Sequence, residues 1–370
     1  MPEGGTALNL NKPKYRLLAD DLRERILQGH TEGDKLETEN EMVARYGVSR
    51  QTVRHALSIL ENEGLIIRRQ GSGIYVTEHR QGSQICPTMD KTITFISTYI
   101  SDYVFPSIIR GAEEVLTGSG YTLKISQTQN RVELERKLLC SSLESIPTGM
   151  IIEGTKTAFP NPNIALYKKL QSAGVPMVFV NGFYQELNDS VYVITDDRKG
   201  GRDAVSYLLS LGHRNIGGIF KADDIQGHER YAGFAEGLVT GGADLIDERI
   251  VWFTTESIEQ PLFADNGKFL IDKLSACSAV VCYNDQIAVR LIDLFMRKGI
   301  DVPRDKAVIS FDNSVYSDIS SVKITSLDHP KEDLGRAAAN KLISMINGKK
   351  EEPLIMPFGF FEKESTAPVP

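Results

Sequence analysis

Two sets of side chains in this 370-residue sequence have the types and spacing to do recognition chemistry, and they lie far apart in the chain. Near the N-terminus, Arg50, Gln51, Thr52 and Arg54 follow Ser49 at the start of an amphipathic run. Residues 42–60 also carry Arg45 and His55 and no acidic residue at all. A guanidinium matches the paired acceptors of guanine, an amide can pair with adenine, and a threonine reaches a phosphate or a thymine methyl, so this set has the chemistry of a duplex reader. The second set stands at the ends of short apolar runs. Glu153 and Lys156 end one run, Asn181 the next, Asp196 and Asp197 a third, Asn284 and Asp285 a fourth and Asp312 a fifth, with Arg230 on a helical stretch after FKADD. Carboxylates accept from adjacent hydroxyls while a guanidinium or amide donates to them, which suits a polyhydroxylated molecule. Tyr99, Tyr103, Phe105, Phe183 and Tyr184 are placed to cover the C–H face of such a ligand.

The elements that must position these groups differ in texture. Apolar residues at i, i+3 and i+4 spacing predict a helix over 15–28. Thr38 with Glu41 makes a capping box for a second helix over 39–46, and Gly47 turns the chain. Ser49 caps a third helix that Gly64 ends, which is a helix-turn-helix layout. Two β-branched runs then flank Gln70, Gly71, Ser72 and Gly73, a small tip able to approach a minor groove, with Arg68 and Arg69 placed to neutralise phosphates. Residues 13–78 therefore read as a DNA-binding winged helix-turn-helix, 79–90 as a polar linker, and 91–370 as an effector domain. In that last region short apolar strands alternate with helices over 106–118, 132–144, 163–173, 199–211, 227–240, 259–275, 286–298 and 331–347. Such alternation marks parallel sheets covered on both faces, and its length calls for two α/β subdomains with a cleft between them.

Composition narrows the function. The chain carries Lys+Arg 42 against Asp+Glu 49; residues 1–80 are neutral and the whole excess of acid lies beyond them. The four cysteines are scattered and read as reduced thiols, and no run approaches the apolar length of a membrane span, so a cytoplasmic protein is expected. No phosphate loop, dinucleotide glycine motif, zinc-protease motif or nucleophile elbow is present. His213 and His329 sit alone in the sequence, and His228 has no second histidine at ligand spacing. These three read as solvated or hydrogen-bonded side chains, and no catalysis, metal or cofactor is expected.

The run TENEMVARYGVSRQTVRHALSILENEGLIIRRQGSGIYV resembles the winged helix of the GntR family. The resemblance implies that Arg45, Arg50, Thr52 and Arg54 contact DNA from the helices and residues 71–73 from the wing. Glu37 departs from the proline usual there, and a carboxylate at that place is expected to repel phosphate. YVFPSIIRGAEEVL, TDDRKGGRDAVSYLLSLGHRNIGGIF and FDNSVYSDISSVKITSLDHP resemble the effector domain of LacI/GalR repressors, a two-subdomain, periplasmic-binding-protein-like fold. That resemblance implies sugar binding by Arg230, Asn284 and Asp312. The combination is similar to the arabinose-responsive repressors, which implies L-arabinose as inducer, with Tyr99, Glu153 and Lys156 in the pocket, and a homodimer on operator DNA. A different pentose, a purine, or a sugar-binding protein or carbohydrate enzyme with an appendage that binds no DNA remain the alternatives.

Overall fold

The computed structural model describes residues 14–29, 33–62, 65–69, 73–77, 91–101 and 104–369. They separate into two compact units, one within residues 1–87 and the other within 88–370. The linker expected over 79–90, and Gln70, Gly71 and Ser72 of the wing tip, lie outside the described residues.

In the first unit α1 (Lys14–Gly29), α2 (Glu39–Tyr46) and α3 (Arg50–Asn62) precede the antiparallel pair β1 (Ile66–Arg69) and β2 (Gly73–Val76). The capping box forms: the Thr38 amide donates to Glu41 Oε2 at 2.7 Å, and Thr38 Oγ1 accepts from the Glu41 amide at 3.4 Å. Gly47 ends α2 at φ 61°, a left-handed conformation in which glycine pays no Cβ penalty. Leu18, Leu22, Ile26, Met42, Val53, Leu57 and Leu60 bury the facing stripes of the three helices against Ile66 and Val76. Local spacing carries no sign of one further pairing: the segment around Lys35 bridges Tyr75 and adds three backbone hydrogen bonds with β2, from the Gly33 amide to the Val76 carbonyl, the Leu36 amide to the Ile74 carbonyl and the Val76 amide to the Asp34 carbonyl.

The second unit holds two six-stranded sheets. One lobe is ordered β13 (Leu354–Met356), β7 (Val191–Thr195), β6 (Met177–Val180), β5 (Gly149–Ile152), β3 (Thr92–Ser97) and β4 (Thr122–Gln127), all parallel. The other is β14 (Gly359–Phe361), β12 (Thr325–Asp328), β11 (Ala307–Asp312), β10 (Ala279–Cys282), β8 (Ile216–Lys221) and β9 (Ile250–Phe253), in which β14 alone runs antiparallel. The first lobe is covered by α4 (Phe105–Gly118), α5 (Val132–Glu144), α6 (Ile164–Ser172) and α12 (Lys331–Ile346). The second is covered by α7 (Asp197–Ser210), α8 (Ile225–Thr240), α9 (Ala264–Lys273), α10 (Asp285–Arg297) and α11 (Val315–Ile319). The chain passes between lobes after β7, after β12 and after β13, so the lobes share a hinge of three crossings while each keeps its own apolar core.

The second unit departs from the sequence expectation in several elements, among them the short α11, which was not expected. The helix expected over 259–275 is broken: Gln260 is extended, and Asp265, Asn266 and Gly267 all take positive φ before a regular helix resumes. β13 and β14 went unread, because strands of three residues at a sheet edge carry no legible alternation.

Candidate functional site

The described part of the winged unit puts Ser49, Arg50, Gln51, Arg54 and Arg45 on its exposed surface, with Thr52 half-buried. Ser49 Oγ accepts from the Thr52 amide at 3.2 Å and lies 2.8 Å from Thr52 Oγ1, so the serine caps α3 and orders its first turn. Arg50 and Gln51 therefore project from a helix N-terminus, where the free amides and the helix dipole already favour an anion. Three other arginines are engaged. Arg54 Nε donates to Glu39 Oε2 at 2.9 Å, and Arg45 bonds Glu37. Arg68 donates to Glu61 at 2.8 Å and to Ser58 at 2.8 Å, which turns it onto α3. His55 stacks on Tyr15 with ring centroids 4.0 Å apart. Glu37 does not present a bare carboxylate: Arg45 and Arg25 both reach it, so the expected repulsion of phosphate is largely cancelled at its source. Gly73, at φ 126°, packs beside Lys35, whose ammonium also lies 5.9 Å from the Tyr75 ring centroid, a cation at the wing that sequence spacing did not mark.

In the effector unit a cavity of about 230 Å³ opens between the lobes at the carboxyl ends of both sets of strands, where open α/β sheets place ligands. Tyr99, Glu153, Asn181, Arg230, Asn284 and Asp312 all line it. Lys156 does not line it; its ammonium is ion-paired with Glu256 of the other lobe. Asp196 is turned away to cap α7, accepting from the Lys199 amide at 2.9 Å.

Arg230 is the centre of this site. Its side chain is 2% exposed. Nε donates to Asp197 Oδ1 at 2.7 Å, Nη1 donates to the Tyr283 carbonyl, and Nη2 stands 3.6 Å from Asp312 Oδ1. The guanidinium also lies 4.3 Å from the Phe311 ring centroid and 5.7 Å from that of Phe358, which belongs to the third hinge crossing. Burial opposes the charge of Arg230, but Asp197 and Asp312 outweigh it and hold the group protonated. Burial, in turn, pushes the Asp197 carboxyl up to about 6 against the pull of Arg230. Asp312 takes φ 99°, rare for a residue with a Cβ, and its carbonyl accepts from Lys331 Nζ across the second crossing. Glu153 receives four hydrogen bonds, from the Thr98 amide (2.8 Å), Thr98 Oγ1 (2.6 Å), Ser97 Oγ (3.1 Å) and Asn181 Nδ2 (3.1 Å). Although burial raises its pKa, its four donors make it the anchor that aims Asn181 and the Tyr99 loop into the cavity.

Several groups were missed. His329 stands at the second crossing and lines the cavity. Its Nε2 lies 3.3 Å from Asn181 Oδ1, and its buried Nδ1 has no partner among the described residues. Burial pushes its pKa down to about 4, so it is a neutral donor or acceptor at physiological pH. Its only sequence sign was its position directly after an apolar strand. Lys221, Asp224 and Tyr283 also line the cavity; Asp224 Oδ2 accepts from Lys221 Nζ at 3.1 Å and from Tyr283 Oη at 2.6 Å. Of the aromatic candidates, Tyr99 and Phe105 line the cavity. Phe183 instead stacks on Tyr192 at 4.0 Å, Tyr184 is buried and donates to Glu135 at 2.6 Å, and Tyr103 lies outside the described residues.

Comparison with known proteins agrees with both halves of this geometry. Residues 14–76 match the family model of bacterial regulatory proteins, gntR family, and residues 205–366 match the periplasmic binding protein-like domain. The chain is 38% identical over 341 residues to the arabinose metabolism transcriptional repressor of Halalkalibacterium halodurans, covering 92% of this chain and 91% of that one. It is 36% identical to the protein of the same description from Geobacillus stearothermophilus, covering 92% and 93%. Among solved structures, a transcriptional regulator CelR–cellobiose complex superposes with a TM-score of 0.67 at 20% identity, covering 89% of this chain and 100% of the other, which speaks for the fold. A LacI family regulator from Enterococcus faecium with bound ribose superposes at 0.64 and 25% identity, over 75% of this chain and 100% of that chain.

Proposed function

This chain belongs to the family of arabinose metabolism transcriptional repressors, and from that premise we propose that it holds operator DNA through its winged unit and releases it when L-arabinose closes the cleft of its effector unit. The observation that carries the reading is the Arg230 array. A guanidinium with Asp197 and Asp312 on either side, facing Asn181, Asn284 and His329 across a small cavity, offers donors and acceptors to adjacent hydroxyls while Tyr99 and Phe105 supply apolar cover. In the reader, the capped N-terminus of α3 with Arg50, Gln51 and Thr52, joined by Arg45, Arg54 and the wing residues 70–73, is the surface proposed for the duplex. Residues 13–78 and 91–370 are proposed as the two functional domains.

Release follows from linkage: sugar favours a lobe arrangement that DNA disfavours, so each ligand weakens the other by one coupling free energy. A coupling of about 3 kcal/mol lowers operator affinity roughly 150-fold. The chain is further proposed to act in the cytoplasm as a homodimer, since two-fold pairing gives a small reader its palindromic register. Val315 and Ile319 of α11, 60% and 68% exposed, support an apolar contact on the second lobe. Fluorescence anisotropy with operator DNA, with and without arabinose, tests the reading. The expected result is a large loss of affinity with sugar, and an unchanged affinity at saturating sugar contradicts it.

A further inference from the structure

We propose that Asn130 is a positioning residue that latches the two lobes across the cavity, which it and Thr255 both line, by bonding Asp223 and Thr255 of the opposite lobe, and so sets the sugar concentration at which the repressor lets go. The dependence on sugar rests on the functional reading above; the latch itself does not.

Asn130 sits in the loop after β4, where Gln129 and Asn130 take φ 52° and 54°, a left-handed pair that projects the side chain and that asparagine tolerates better than most residues. It is 2% exposed. On its own lobe its Oδ1 accepts from the Lys156 amide at 2.8 Å, which settles the orientation of the carboxamide, because that amide can only donate. Nδ2 must then face the other lobe, where it donates to Thr255 Oγ1 at 2.6 Å and to Asp223 Oδ2 at 3.2 Å. Asp223 is fully buried; the same Oδ2 accepts from the Thr255 amide at 3.0 Å, and its Oδ1 lies 3.4 Å from Lys221 Nζ. Burial works against its charge, but Lys221 and the Thr255 donors outweigh it and hold the carboxyl below its ordinary range, as an acceptor.

A second bond crosses nearby. The Ile225 amide donates to Thr157 Oγ1 at 3.0 Å. Ile225 opens α8, and an amide in a first helical turn has no partner within its own helix. Its partner comes from the other lobe and is lost when the lobes part, so this amide reports closure directly. The latch groups are polar, and water replaces their partners when the cleft opens. Their net contribution is therefore modest, which suits an equilibrium that a ligand must be able to shift.

The experiment uses the full chain with Asn130→Asp and Asn130→Ala. Asn130→Asp keeps the acceptor for the Lys156 amide but sets carboxylate against carboxylate at Asp223, whereas Asn130→Ala removes the crossing donor without adding charge and leaves Asp223 its Thr255 and Lys221 partners. Hydrogen exchange at the Ile225 amide in sugar-free protein and calorimetric titration with arabinose are the two readouts. Asn130→Asp is expected to speed that exchange and to weaken arabinose, each about tenfold, and Asn130→Ala to do both to a smaller extent. Unaltered Ile225 exchange in Asn130→Asp overturns the latch. So does arabinose binding weakened in Asn130→Ala with no change at Ile225, which would make Asn130 a direct sugar contact. If the unmutated chain does not bind arabinose, the choice of sugar falls, while the exchange measurement still decides the latch.

Discussion

Arg54 in the winged unit faces Glu39 at 2.9 Å and Arg230 in the effector unit faces Asp197 at 2.7 Å, yet the first leaves 66% of its side chain in water and the second 2%. In the winged unit the ion pairs are screened, cost little to break, and hold their arginines near the surface in geometries that a phosphate can take over. In the cleft, desolvation has already been met by the partners, and losing one member strands the others. The surface proposed to hold and release DNA and the pocket proposed to take a small polar ligand thus use the same residue types at opposite extremes of burial.

The contrast can be broken most severely at Arg230. Arg230→Ala leaves Asp197 and Asp312 facing each other in a buried site, and removal of one partner from such a group costs about 3–5 kcal/mol. The expected outcome is loss of arabinose binding in calorimetry and a lowered melting temperature, with sugar-free operator binding retained. Sugar affinity surviving this change would mean that the array is only a structural brace.

Next in size is the pH response of His329. Its folded pKa of about 4 lies below the ordinary imidazole value, so the unfolded chain binds the extra proton first. Stability therefore falls as pH drops from about 6.5 to about 4, by roughly 3 kcal/mol at most. Asp197 and Asp285, both raised to about 6, act with the opposite sign over part of that range, since a carboxyl raised on folding gains stability as pH falls. The informative quantity is thus the difference between the unmutated chain and His329→Gln in melting-temperature profiles. The variant should lose less stability on acidification, and identical slopes would show that His329 is not buried as a neutral ring.

On the reader, Arg50→Ala should cost about 1–3 kcal/mol of operator affinity if the side chain reads a base, with relaxed preference at one position across operator variants. A uniform loss with a shallower salt dependence would assign it to phosphate. The smallest change is expected from Glu37→Pro. Freed from Glu37, Arg45 becomes available to phosphate, so operator binding should tighten, by no more than about fivefold. Weaker binding in a gel-shift titration would show that the carboxylate is needed to aim Arg45.

How much was legible depended on the range of the interaction. The capping box at Thr38 and Glu41, the turn at Gly47 and the cap at Ser49 are contacts over three or four residues, and the sequence states them in full. The strand-end rule likewise located Glu153, Asn181, Asn284 and Asp312 at the cavity, because parallel strands place their carboxyl ends together, and Arg230 reaches it from the helix that follows such a strand. What the sequence left hidden were the partners. Lys156 and Glu256 are 100 residues apart, and Arg68 turns back to Glu61 rather than outward. Phe183 and Tyr184 follow a strand just as Tyr99 does, but packing buried Tyr184 in the core and set Phe183, half-buried, on Tyr192 at its margin.

Residue type and spacing by themselves determined that this chain joins a duplex-reading winged helix to an alternating α/β unit, since periodicity, caps and glycine turns act through neighbours in the chain. Only the tertiary structure decided which polar side chains share the cleft and in what role. It turned His329 from an isolated residue into a neutral pocket group, made Glu153 an anchor, and moved Lys156 into a bond between lobes. The physical reason is that burial and charge pairing depend on distances across the hinge, which three crossings of the chain fix and no local pattern records.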